Sequence, residues 1–267
     1  MGDIIRILDP DDARIAAYRD IRERDLVGRR GRFVAEGRVV LRALLESPHF
    51  EAESILVLEN RIAGLEGELA LKKPDTPVYV ASRAIIDAIA GFPVHRGILA
   101  IGHAGEPRVG PFVPSAQAPC LVVVCAGISN HDNIGSIFRN AAAFGADAVL
   151  LDETCCDPLY RKALRVSVGA ALNVPFFRLK TAPEIIETLI AQNFKVIALS
   201  PKAKVTIDEI DPAIRMAVVL GAEGPGLSSE ILAATRPLRI AMAPGFDSLN
   251  VAAASAIALH RLSRNRI

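Results

Sequence analysis

The sequence predicts an α/β protein. Leu121-Val-Val-Val-Cys-Ala126, Met216-Ala-Val-Val-Leu220 and Ile55-Leu-Val-Leu58 are uninterrupted apolar runs, as strands buried on both faces require. Stretches with helical spacing and helix caps alternate with these runs along the chain. At 267 residues the chain has room for two ordinary domains, and a Pro-rich stretch divides it.

In chain order, Asp9-Pro10 supplies a cap and a proline for a helix to about Arg24, with Ile15, Tyr18 and Ile21 on one face. A Gly28-Arg-Arg-Gly31 loop follows, then a short strand over Phe33–Gly37 and a helix over Val39–Leu45. Ile55–Leu58 and Val78–Val80 read as strands, Ser82 caps a helix to Ala90, and Arg96–Ile101 makes the last strand of this half. Residues 1–103 thus form one small α/β domain. From 104 to 119 come four prolines and two glycines with little periodicity, a linker.

The second domain, 120–267, opens with the Leu121–Ala126 strand. A helix over Asn133–Phe144 ends at Gly145, and Ala148–Leu151 is the next strand. Arg161–Val168 reads as helical, Pro175–Leu179 as extended, Pro183–Asn193 as helical and Lys195–Leu199 as a strand. A strand over Met216–Leu220, a strand at Ile240 and a terminal helix over Ala252–Leu262 complete the pattern.

The composition, 51% hydrophobic and 23% charged, is that of a globular chain. No apolar stretch is long enough to cross a membrane, and Met1–Arg6 lacks a signal peptide's apolar core, so a cytoplasmic protein is expected. Cys120, Cys125 and the adjacent Cys155-Cys156 show no CxxC spacing, which points to reduced thiols and no metal site. Net charge is only +1, but Arg22–Arg42 holds seven arginines against three acids. Such a local basic patch suits a polyanion, with Arg29, Arg30 and Arg32 as candidate phosphate contacts; a solvated charged face is the alternative.

The most informative stretch is Leu220-Gly221-Ala-Glu223-Gly-Pro-Gly226-Leu-Ser228. It turns a buried strand into a backbone-lined loop with one carboxylate at its mouth, and Ser228 offers an N-cap to a following helix. Leu227 stands where a P-loop needs lysine, and the glycines at 221, 224 and 226 do not form G-x-G-x-x-G. Phosphate-loop and dinucleotide readings fail on these residues. No G-x-S-x-G nucleophile motif is present, and of the five histidines only His131 lies beside a motif.

Three segments in register carry a resemblance: Asn133-x-Gly135-x-x-x-Arg139, Gly221-x-Glu223-Gly-x-Gly226 and Ser248-Leu249-Asn250-Val251. Together they resemble the signature motifs of the SpoU/TrmH family of RNA ribose 2'-O-methyltransferases, within the SPOUT superfamily. The resemblance spans about 120–262. It implies a C-terminal SPOUT-type α/β domain with a deep trefoil knot that holds S-adenosylmethionine (AdoMet), and a homodimer through that domain. Leu220, Gly221, Gly226, Ile240, Met242 and Leu249 fall at its donor-pocket positions. Arg139 matches its catalytic arginine, and Asn133, Glu223, Ser248 and Asn250 its other polar motif positions. Asn133 also reads simply as a helix cap or first-turn residue. Ala241 departs from the family's usual proline. Arg32-Phe33-x-x-Glu36-Gly37 resembles the start of the RNA-binding domain, related to a ribosomal-protein fold, that precedes the catalytic domain in many members. The implied activity is methyl transfer from AdoMet to a ribose 2'-hydroxyl of rRNA or tRNA. The alternatives are a non-catalytic RNA-binding or ribosome-assembly factor and a nucleotide-dependent enzyme of another kind.

Overall fold

The computed structural model describes residues 4–19, 31–90, 96–104, 112, 114 and 118–263. In chain order its regular elements begin with β1 (Ile4–Arg6), β2 (Arg32–Glu36), α1 (Arg38–Leu45), β3 (Phe50–Leu58), α2 (Glu66–Leu69), β4 (Val78–Ala81), α3 (Arg83–Ala90) and β5 (Ile98–Ala104). There follow β6 (Cys120–Ala126), α4 (His131–Ala143), β7 (Ala148–Leu151), α5 (Arg161–Val166), β8 (Phe176–Arg178) and α6 (Ala182–Ala191). The chain continues through β9 (Lys195–Leu199), β10 (Arg215–Gly221), α7 (Ser229–Ala234), β11 (Arg236–Leu238) and α8 (Val251–Ser263). Packing gathers these into two units, Met1–Pro107 with Leu159–Asn173, and Arg108–Pro158 with Val174–Ile267.

The first unit is built on a mixed sheet in the order β1-β4-β3-β5-β2. The β1, β4 and β3 strands are parallel, whereas β5 runs antiparallel to both β3 and β2. Ile7, Ile15, Tyr18, Leu56, Ile86 and Leu99 make its core, where the Tyr18 hydroxyl lies 2.8 Å from Ser54 Oγ. Of the helix expected to run to about Arg24, the described part is a 3-10 turn, Ala13–Tyr18, followed by extended backbone at Arg19; 20–24 lie outside the described residues. Asp12, not Asp9, caps it by accepting from the Arg14 N–H, a two-residue reach that favours a tight turn. Ile21, Arg29 and Arg30 lie outside the described residues. The α5 helix packs on β2, where Arg161 donates to the buried Glu36 at 2.9 Å.

The second unit has an all-parallel sheet in the order β11-β9-β10-β6-β7-β8. All of β6 and β7, and β10 except Gly221, are buried, which is why each reads as a continuous apolar run. The α4 and α8 helices pack against one another. The α8 helix buries Val251, Ser255, Ala258, Leu259 and Leu262, the i, i+4, i+7, i+8, i+11 stripe of one helix face. Arg261 near its end donates to the Ile210 carbonyl at 2.6 Å. The last strand stops at Leu238, so Ile240, expected within a strand, lies in the loop beyond it. Arg239 forms only an isolated bridge to Thr206, and pairing ends there.

Candidate active site

Ligands of open parallel sheets bind beyond the carboxyl ends of the strands, because loops there are free to shape a pocket. At that end of β9, β10 and β11 lies a cavity of about 350 Å³. Leu220, Gly221, Gly226, Ile240, Met242 and Leu249, the six residues singled out for the donor pocket, all line it, as do Glu223, Ser248 and Asn250. Its walls mix apolar side chains with loop backbone. Among the described residues the lining contains one carboxylate, Glu223, and neither lysine nor arginine.

The loop after β10 folds back on itself, the Gly226 N–H donating to the Ala222 carbonyl at 3.1 Å. Gly224 and Gly226 hold φ of +86° and +68°, a backbone conformation that residues with a side chain rarely adopt. Gly221 is different, since its φ is not positive; a Cβ there would stand 2.8 Å from Leu227 Cδ2 and 2.9 Å from the Gly226 carbonyl carbon. Its constraint is steric. Ser228 caps α7, its Oγ accepting from the Ile231 N–H at 3.3 Å.

Three motif residues distant in sequence meet at one point. The Asn133 amide donates to Glu223 Oε1 at 2.6 Å, and the Asn250 amide donates to the same oxygen at 3.1 Å and to Asn133 Oδ1 at 3.0 Å. The order of donation is fixed by chemistry. A carboxylate only accepts, so both asparagines must turn their nitrogens toward it, and Asn133 keeps its oxygen for Asn250. The Asn250 oxygen then accepts from the Ala252 N–H at 2.8 Å and caps α8. Asn133 is buried in the first turn of α4, whose cap is Asn130, accepting from Asp132 N at 2.8 Å; Asn133 is therefore a clamp and not a cap.

Asn140 was not singled out from the sequence as a site residue. It stands seven positions after Asn133 on α4 and donates to the Ala252 carbonyl and Ser255 Oγ, both at 2.8 Å. The i, i+7 spacing of two asparagines on one helix face is the signal that could have found it.

The remaining candidates are not brought to this point. Arg139 is exposed on α4, does not line the cavity, and has no hydrogen-bond or ion-pair partner among the described residues. His131 begins α4 and does not line the cavity either. Arg32 forms a two-pronged pair with Glu53, Nε to Oε2 and Nη2 to Oε1 both at 2.7 Å, so its charge is already engaged. Among the described residues no cluster of three or more His, Cys, Asp or Glu could hold a metal ion, and no helix is long and apolar enough to cross a membrane.

Residues 120–260, which contain this whole site, match the SpoU rRNA Methylase family. The chain belongs to that family. An uncharacterized tRNA/rRNA methyltransferase of Mycobacterium tuberculosis is 38% identical over 98% of this chain and 93% of its own length. Among solved structures, an RNA 2'-O ribose methyltransferase superposes with a TM-score of 0.80 at 27% identity, covering 98% of this chain and 99% of that one. An AdoMet-bound rRNA methyltransferase from Sinorhizobium meliloti has the same fold, with a TM-score of 0.79 at 22% identity over the full length of both chains. The three segments singled out in the sequence fall on α4, on the loop after β10 and at the start of α8.

Proposed function

We propose that this SpoU-family chain transfers the methyl group of AdoMet to a ribose 2'-hydroxyl of rRNA or tRNA. The observation that carries the reading is the cavity itself, with Asn133, Glu223 and Asn250 joined at its mouth. Backbone and apolar walls suit a nucleoside. One carboxylate with no lining cation suits a ligand that bears positive charge, and disfavours a phosphorylated nucleotide. When bound, AdoMet supplies a methyl group already activated on a sulfonium, so no metal or covalent nucleophile is needed.

The chain's own residues have two tasks. Leu220, Gly221, Gly226, Ile240, Met242 and Leu249 hold the donor, and the Asn133–Glu223–Asn250 junction fixes the loops that form its mouth. Arg139 orients the RNA: a guanidinium with pKa above about 12 does not accept a proton, but it grips a phosphate and stabilises charge developing on the attacking oxygen. An exposed arginine without a protein partner is free to do so. The reading includes a trefoil knot around the donor, RNA contacts from the N-terminal unit, a cytoplasmic location and a homodimer through the C-terminal domain. Exposed Phe246 and Ile257 offer apolar surface for the dimer.

Two measurements test this. Calorimetry should detect AdoMet binding, and RNA from cells with and without the gene should differ at a 2'-O-methylated nucleotide. Absence of AdoMet binding would favour the non-catalytic RNA-binding alternative.

A further inference from the structure

The first unit has a cavity of its own, about 420 Å³, lined by Arg38, Val39, Arg61, Leu65, Arg96 and Ile98. Three arginines share its wall. Arg38 is paired with the buried Glu68 at 2.8 Å and is also influenced by Glu66. Arg61 and Arg96 are exposed and have no hydrogen-bond or ion-pair partner among the described residues.

Their placement sets two exposed cations on a cavity whose wall includes the start of α1. The Arg96 stem lies over Gly37, the residue before α1: a Cβ at Gly37 would fall 2.6 Å from Arg96 Cδ and 3.1 Å from its Nη1. The start of α1 has no side-chain cap and no acid in its first turn. Its unpaired N–H groups therefore present partial positive charge next to a full one, the reverse of the arrangement a helix dipole favours. The Arg61 stem lies beside Gly97, its Cγ 3.3 Å from where a Cβ on that glycine would stand. Gly37 holds φ of +89° and Gly97 +66°, so both positions favour glycine; the Arg96 stem fills the space beside Gly37, and Leu58 with the Arg61 stem fills that beside Gly97. Like charges gathered on one cavity, two of them with no ion-pair partner among the described residues, suit an external anion.

We propose that this cavity binds a phosphate group of the RNA backbone, with Arg61 and Arg96 as its ligands, Arg38 held beside them by Glu68, and the α1 N–H groups behind. Guanidinium forks match phosphate oxygens two at a time, which suits the site to a phosphodiester. The proposal rests on the RNA-methyltransferase reading and moves the phosphate-gripping role in this unit away from Arg32.

The test uses the full chain and unfractionated tRNA as probe, with affinity measured by fluorescence anisotropy across a salt series. In Arg61→Gln/Arg96→Gln the log–log salt slope should fall by about 1.4–1.8, from about 0.7–0.9 per lost contact. Arg61→Lys/Arg96→Lys should retain most of the slope, and AdoMet affinity by calorimetry should be unchanged in both. Wild-type and glutamine variants with equal slopes would overturn the site while leaving the RNA reading intact. A wild type with no salt-dependent tRNA binding would overturn the RNA reading and the site with it. Inorganic phosphate titrated alone separates the two sources of the same chemistry. Saturation of the wild type by free phosphate, lost in the glutamine variant while the tRNA slope is unmoved, would reassign the site to a small anion and overturn its role on RNA.

Discussion

The amide nitrogen of Asn133 lies 2.6 Å from Oε1 of Glu223, joining the first turn of α4 to the loop after β10 across 90 residues of sequence. Asn250 reaches the same oxygen. Glu223→Ala removes the shared acceptor from both amides at once, and Asn133, which is buried, loses its short bond. Hydrogen bonds to a charged acceptor are worth about 1.5–3 kcal/mol, less where solvent competes, as it does at Asn250. AdoMet affinity should therefore fall about tenfold. Glu223→Gln keeps an acceptor oxygen and should stay within a few fold. Calorimetry on the two variants decides it, and wild-type affinity in Glu223→Ala would show the junction to be dispensable.

Arg139 separates binding from turnover. It is exposed and outside the cavity lining, so Arg139→Ala should leave AdoMet affinity within a few fold while abolishing methyl transfer. Calorimetry and a tritiated-methyl assay on one preparation check both halves. Retained turnover would remove Arg139 from the mechanism.

Gly221 and Leu249 test the cavity directly. A valine at 221 must displace Leu227 or the Gly226 backbone, moving the loop that forms the mouth. Leu249→Arg places a cation in a lining that has none. Both should abolish AdoMet binding with the fold retained by circular dichroism, and unchanged affinity in either would place the donor elsewhere.

How far the sequence reveals this arrangement depends on whether a residue's partner is nearby in the chain. The β6, β7 and β10 strands are legible because a strand buried on both faces must be apolar throughout. The β1 strand is not, because Ile4–Arg6 is a three-residue edge strand with no run to detect. The motif residues lining the cavity are legible through their resemblance, and the structure adds how Asn133, Glu223 and Asn250 address one another. Asn140 is invisible for a physical reason: a polar residue on a helix looks solvated until the facing helix, more than a hundred positions later, is in place. The same holds for Glu36, whose burial has meaning only beside Arg161.

That pair yields a stability prediction. Glu36 is 4% exposed and Arg161 about a quarter exposed, with 2.9 Å between them. Arg161→Ala strands a buried carboxylate, which costs about 3 kcal/mol, the low end for a broken buried pair because Arg161 is partly in water. Glu36→Gln/Arg161→Met should recover much of the loss, since no charge is then buried. Urea midpoints for the wild type and the two variants measure this. A midpoint in Arg161→Ala equal to wild type would show the pair to be energetically silent.

The thiols make stability fall at alkaline pH. Burial pushes the Cys155 thiol up to about 12, helped by the neighbouring Asp152 carboxylate, and burial raises Cys125 well above its usual value. Cys155 Sγ donates to the Cys125 carbonyl and accepts from the Ile128 N–H, both at 3.3 Å, a pattern that uses its proton. In the unfolded chain both thiols ionise as ordinary cysteines do, at about pH 8.5. Below that pH both states hold their protons, and this contribution is fully present. Above it the unfolded state loses protons that the folded state keeps, so stability drops as pH rises toward the folded values. Each thiol contributes a slope of up to about 1.4 kcal/mol per pH unit. Urea midpoints at pH 8 and pH 10 should therefore diverge more for wild type than for Cys125→Ala/Cys155→Ala, whose comparison cancels tyrosine and lysine titration. If the two proteins lose the same stability over that interval, the thiols are not the groups responsible.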